Sequence, residues 1–369
     1  MPPRHYSGMS PQCLKRRAHG KTNRMLPISN SPIPLDPSFL RLHSQRRTET
    51  ELRRIVRSVK FELIERESAV HLLGPEMSYH EVDPYLQGQL DEMGMGREDI
   101  LSYISHSGRI DICFEDSWTG YFIADRFEKN RRGDDLTIIH LDDHTDMMAT
   151  LLYLSGDALV DPTNGATFDP KCTSDWRSAI YSGAINIGNY VTPLFYSGSH
   201  VHICHVNNSP DQTDFRWIVR DACEYSLIPE KQFATIAKLD SPSPRAVGSY
   251  RAAPSPGQVL QKNSSGWTIV HIDLDYFIND FNGASRGTGY TPQPALRPTA
   301  AGKLECFFAA LAKADISVDR WIIATSPGFC SAYHWKWLLL EIERNIEEYE
   351  GRSVIEAASR CQQANPAIG

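Results

Sequence analysis

The sequence predicts an α/β fold, a three-layer open sheet that is mostly parallel with helices on both faces, preceded by a helical extension. Three observations carry this. Short apolar runs alternate with helical patterns, which favours parallel strands joined by crossover helices. Two of those runs end abruptly in acidic residues. With 369 residues, 41% of them hydrophobic, the chain can bury one large core with appendages.

Residues 1–45 are rich in Pro, Ser and Arg and read as an unstructured basic tail. In the extension, 46–105, Leu52, Ile55, Val56 and Val59 fall at helical spacing and predict an amphipathic helix over 48–66. Residues 79–105 read as one or two further helices. The catalytic domain is expected at 106–350. It starts with a short strand at 109–114 (RIDICF), a helix at 118–129 and a buried strand at 136–141 (LTIIHL). Further strands are expected at 199–206, 268–272 and 320–324, and the turn Ser326-Pro327-Gly328 opens onto a long helix around 335–349. The stretch 239–266 is dense in Ser, Pro, Gly and Asn, so a mobile loop is expected around 240–265. Residues 351–369 read as a C-terminal tail.

The net charge of −7 hides an asymmetry: residues 1–60 hold 13 basic and 3 acidic side chains, so the remainder is strongly acidic. Such a body attracts cations, whether metal ions or a guanidinium, while the basic arm suits an acidic partner; nucleic acid is not the partner expected. No stretch approaches the roughly 18 apolar residues of a membrane span. The basic N-terminal residues lack the apolar run of a secretory signal. Eight cysteines form no CxxC pair and no regular spacing, which excludes a zinc ribbon or a disulfide framework and fits a reducing cytoplasm.

Chemistry concentrates at two strand ends. Asp142, Asp143, His144, Thr145 and Asp146 follow LTIIHL; three of them are ligand types two residues apart, although an acidic turn capping a helix would also use such residues. Asp273 and Asp275 follow TIVHI, and their i, i+2 spacing aims both carboxylates one way. Two carboxylates on one face repel unless a cation neutralises them. In open α/β sheets ligands bind beyond the carboxyl ends of the strands, where both pairs can converge. Four carboxylates and one imidazole, with no sulfur, favour manganese or magnesium over zinc, and the imidazole tilts the choice to manganese. Asp146 is placed to accept a proton from water.

DDHTD (142–146) resembles the D-x-H-x-D motif, and HIDLDYF (271–277) the S-x-D-x-D motif, of the arginase and deacetylase superfamily. DLDYF (273–277), INIGNYVTPLFYSG (185–198) and SPGF (326–329) resemble the branch of peptide arginases that act in ribosomal-peptide maturation. The resemblance implies two Mn2+ ions and hydrolysis of the guanidino group of arginine residues in a precursor peptide, giving ornithine and urea. By matching positions, one ion takes Asp142, Asp146 and Asp273, and the other Asp142, His144, Asp273 and Asp275. Asn186 and Asn189 lie in the matching loop as candidates for substrate contact.

The chain departs from the superfamily where an earlier strand usually ends in a metal-binding His. Here Ser117 stands at that place, and Asp116 is the expected substitute ligand. The proton-shuttling His of free-arginine enzymes has no counterpart. His140, His200, His202 and His205 are read as structural, and His271 as a hydrogen-bonding neighbour of the Asp pair. The alternatives are a single-zinc deacetylase, which would leave Asp146 and Asp275 without a task, and a binding protein of the same fold that has lost turnover. The oligomeric state stays open.

Overall fold

The computed structural model describes residues 31–57, 59–129, 135–209, 213–261, 266–283, 291 and 293–364, with side chains up to residue 351. Strands β1 (Ile33–Pro34), β2 (Val59–Ile64) and β3 (Ala69–Pro75) form a small antiparallel sheet in the order β1-β3-β2. The large sheet comprises β4 (Ile104–Ser107), β5 (Ile110–Cys113), β6 (Leu136–Leu141), β7 (Tyr153–Ser155), β8 (Ala158–Val160) and β9 (Thr167–Phe168). It continues with β10 (Val201–Val206), β11 (Asp214–Tyr225), β12 (Ile228–Leu239), β13 (Gly248–Ala253), β14 (Trp267–Asp273) and β15 (Arg320–Ala324). The order of its twelve strands is β4-β5-β15-β14-β6-β10-β13-β11-β12-β7-β8-β9.

The six strands from β5 to β13 are parallel to one another, and the strands outside them pair antiparallel. Every residue of β6 and β14 is buried, which explains why these strands read as continuous apolar runs: both faces are covered. Alternation divides each strand between two cores. Leu136 and Ile138 pack with Phe122 and Ile123 of the helix Trp118–Lys129 and Trp176 of the helix Thr173–Ser182. Ile139 and Leu141 face the opposite core, with Leu304 and Phe307 of the helix Arg297–Lys313 and Trp335 and Leu338 of the helix Ala332–Ala364. The result is an α/β protein with a large mixed sheet between helices.

After β6 the chain moves through β10 to β13 on one side, then returns to lay β14 and β15 on the other. The reversal falls between β6 and β14, so a crevice opens at their carboxyl ends.

Several expectations need correction. The expected tail at 1–45 lies outside the described residues as far as residue 30, but beyond it β1 and a helix Pro37–Leu42, capped by Asp36, are formed. The helix expected over 48–66 is Gln45–Ile55, capped by Ser44 and buried through Thr48, Leu52 and Ile55. From Val59 the chain becomes β2, because VKFELI carries β-branched and aromatic residues that pair with β3. The extension is therefore helix plus sheet. The loop expected around 240–265 contains β13, a strand of the parallel core. Gly248 shows why a strand can begin there: a Cβ would lie 1.8 Å from the Val201 carbonyl oxygen, so only glycine lets β13 close on β10. The last helix continues through Gly351 to Ala364, where a tail was expected.

Candidate metal centre

Four neighbouring strand ends build the site. Asp142 follows β6, and its Oδ1 accepts from the His144 backbone N–H at 2.7 Å, which turns the chain sharply. Asp146 then sits in the left-handed region at φ 51°, a costly conformation for a non-glycine residue. Asp273 closes β14, and its Oδ1 accepts from the Asp275 N–H at 2.9 Å in the single turn Leu274–Tyr276. Beyond β5, Asp116 stands where the helix Trp118–Lys129 begins, its carbonyl accepting from the Thr119 N–H at 2.8 Å. Beyond β15, Ser326 also adopts a left-handed conformation, at φ 48°, and its hydroxyl donates to Asp273 Oδ2.

These turns bring together residues far apart in the chain. Asp116, Asp142 and Asp146 offer ligand atoms within 4.8 Å of one another, and Asp142, His144 and Asp275 do the same. Asp142 belongs to both groups. Asp116, Asp142, Asp146, Asp273 and Asp275 are all buried. Asp116 Oδ1, Asp142 Oδ2 and Asp146 Oδ2 have no hydrogen-bond partner. Unpartnered buried carboxylate oxygens are costly unless a cation meets them, so the cluster is one that could hold metal. Asp273 also faces the cavity, but both its oxygens already accept hydrogen bonds, from the Asp275 N–H and the Ser326 hydroxyl.

Without a cation the acids resist ionisation. Burial, reinforced by Asp146 and Asp273, pushes Asp116 and Asp142 well above the usual carboxylate range. Burial does the same to Asp273, with Asp275 adding to it. Burial pushes Asp146 up to about 7, and burial with the Asp142 charge pushes Asp275 up to about 7. His144 moves the other way on the charge scale. Its bonds to Asp142 and Asp275 push it up to about 12, with Nδ1 3.0 Å from Asp275 Oδ2. The His144 ring lies against Asp142 and Asp275, with Nδ1 3.6 Å from Asp142 Oδ1.

Beneath this acidic tier lies a feature that sequence reading missed. His205, His140 and His271 are aligned across β10, β6 and β14 in register. All three are buried. His140 Nδ1 lies 2.9 Å from His271 Nδ1, and its Nε2 is 3.6 Å from Asp142 and 3.5 Å from Asp146. His205 Nε2 donates to the Asp142 carbonyl at 3.0 Å, and its Nδ1 meets the Tyr250 hydroxyl at 2.8 Å. Burial lowers the pKa of His140, pushes His205 down to about 3, and drives His271 well below its usual value. His140, Asp142 and His271 also form a third set of atoms within 4.8 Å. A signal existed: His140-Leu-Asp142, His205-Val-Asn207 and His271-Ile-Asp273 repeat one spacing at three strand ends.

A cavity of about 310 Å³ opens over the acids. Tyr79, Phe114, Glu115, Met148 and Phe329 help to wall it. Glu115 is buried and held by the Tyr79 hydroxyl and His80 Nε2, both at 2.8 Å. Neither Asn186 nor Asn189, the candidates for substrate contact, lines this cavity, although Ile187 and Gly188 between them do. The asparagine amides fold the turn: Asn186 Oδ1 accepts from the Gly188 N–H at 3.1 Å, and Asn189 Oδ1 from the Asn186 N–H at 2.9 Å. Both asparagines instead border a neighbouring cavity.

No family model matches the chain, and no curated protein matches it. Among the described residues, no helix is long and apolar enough to cross a membrane. The six described cysteines are free.

Proposed function

We propose that this chain is a dinuclear manganese hydrolase that converts arginine residues of a peptide to ornithine with release of urea. The observation that carries the reading is Asp142 shared between the two three-ligand groups that hold more than one carboxylate, with three buried carboxylate oxygens left unpartnered. The choice of manganese follows from an oxygen-dominated ligand set with one imidazole. The choice of a guanidino substrate comes from the resemblance to peptide arginases, and an acidic cavity suits that cation.

Asp116, Asp142, Asp146, His144 and Asp275 are the residues that would hold the ions, and Asp273, oriented by Ser326, would join them as a further ligand. When bound, such ions supply the Lewis acidity that brings the pKa of water towards neutrality. Asp146 is the proton acceptor: it is buried beside the cavity, and the turn that gives it a left-handed backbone fixes its position. Glu115, fixed by Tyr79 and His80, orients the guanidinium. Water oxygen bonds to the guanidino carbon, the bond from that carbon to the side-chain nitrogen breaks, and the departing amine takes the proton.

Incubating the manganese-loaded protein with arginine-containing peptides and with free arginine tests this. Urea and ornithine from the peptides support it. No urea from any member of the panel, with manganese bound, refutes it.

A further inference from the structure

The cavity bordered by Asn186 and Asn189 has no part in the reading above. It measures about 400 Å³ and is lined by Arg54, Arg57, Met148, Asn189, Tyr225 and Thr235 among others, with no Asp or Glu among the described residues of its walls. Its neighbour over the metal cluster is walled by Glu115, Asp116, Asp146, Asp273 and Asp275. The two cavities carry opposite charge and share Met148.

Met148 is built as a partition. Its backbone is tied on both sides, its N–H donating to the Gly188 carbonyl at 3.1 Å and its carbonyl accepting from the Thr192 hydroxyl at 2.8 Å. Its side chain is 38% exposed and lies over Gly188, where a Cβ would stand 2.1 Å from the Met148 methyl. On the cationic side, Arg57 Nη1 donates to Met148 Sδ at 3.3 Å, a weak acceptor for a guanidinium. Among the described residues Arg57 has no carboxylate partner, whereas Arg54 pairs with Glu51 at 2.6 Å along its own helix. The Arg57 carbonyl accepts from Asn186 Nδ2 at 3.1 Å, which ties this arginine to the loop that walls the acidic cavity. A guanidinium fork with open donors, beside a roomy polar cavity, matches a carboxylate.

We propose that this cavity is a carboxylate subsite, which takes an acidic side chain of the same peptide whose arginine enters the neighbouring acidic cavity. The identity of the ligand rests on the peptide-hydrolase reading; the charge recognition does not require turnover. The substrate is then a dipolar segment, with its cation over the acids and its anion on Arg57 and Arg54, and Met148 between them.

Three fluorescein-labelled peptides test it on the manganese-loaded full chain by fluorescence anisotropy. Each holds one arginine: the first has a nearby Glu and an amidated C-terminus, the second has Gln in place of Glu, and the third has that Gln and a free C-terminal carboxylate. The Glu peptide is expected to bind about tenfold more tightly than its Gln twin, the scale of one partly exposed charge-assisted bond. Arg57→Gln should remove most of that preference, and Arg54→Gln less of it, with the affinity of the Gln peptide unchanged. Equal binding of the Glu and Gln peptides overturns the proposal, as does a preference that survives both substitutions. Preference for the third peptide alone also overturns it and assigns the cavity to a chain end. If the Glu preference holds and no urea is formed, the hydrolase reading fails and the subsite stands; urea released from Glu and Gln peptides that bind equally gives the reverse.

Discussion

His140 Nδ1 lies 2.9 Å from His271 Nδ1, across two adjacent buried strands and directly below Asp142 and Asp273. One ring must donate and the other accept, and burial lowers the pKa of both rings, which disfavours the charged form. Replacing His271 with Phe keeps the volume and strands the His140 nitrogen. The expected cost is about 1–3 kcal/mol in denaturant unfolding, with manganese content unchanged. Loss of manganese from this variant would instead make His271 part of the metal site.

Asp142 is common to all three candidate ligand groups, and Asp116 belongs to one. Asp142→Asn should therefore strip both ions and lower turnover more than about 100-fold, since bound metal supplies several kcal/mol of stabilisation. Asp116→Asn should remove one ion. Metal content after dialysis separates the two outcomes, and equal losses in both variants would contradict the sharing.

Ser326 combines a left-handed backbone with a hydroxyl bond to Asp273. Ser326→Ala keeps the strain and loses the bond; Ser326→Gly loses the bond and relieves the strain. Both should weaken manganese binding about tenfold, the usual effect of removing a group that orients a ligand. The Gly variant should be the more stable by about 1 kcal/mol. Calorimetric titration and unfolding of the two variants check this.

The metal-free protein should lose stability as pH rises. Asp146 and Asp275 are pushed up to about 7, so between about pH 4, the ordinary unfolded value, and pH 7 the folded state binds more protons than the unfolded. Each unit of pH across that window lowers stability. His144, raised to about 12, adds a loss in the same direction above its unfolded value. Melting without metal should therefore occur several degrees lower at pH 8 than at pH 5.5, with manganese restoring it at pH 8. Asp146→Asn should shrink the difference. A metal-free protein that melts higher at pH 8 would contradict this electrostatic picture.

Much of the site was legible because its strands are covered on both faces. LTIIHL and TIVHI read as apolar runs, and the acids that end them stand out against that background. Asp116 was expected only through the family resemblance, as the substitute for a histidine at an earlier strand end, and its ligand atom lies within 4.8 Å of those of Asp142 and Asp146. What escaped depends on pairing. The histidine row needs the register of three strands, and His140 and His271 stand 131 residues apart. β13 escaped because GSYRAA has no apolar run; its burial alternates, and its entry is set by a glycine contact with another strand. Asn186 and Asn189 close a turn on their own backbone, as short amides do, and they border the cavity beside the one over the acids.

The most direct test is electron paramagnetic resonance of the manganese-loaded chain with its metal content measured on the same sample. Two ions per chain with a spin-coupled spectrum are expected, collapsing to an isolated-ion signal or none in Asp142→Asn. A single uncoupled ion in the wild-type protein, or none, would contradict the shared-carboxylate centre.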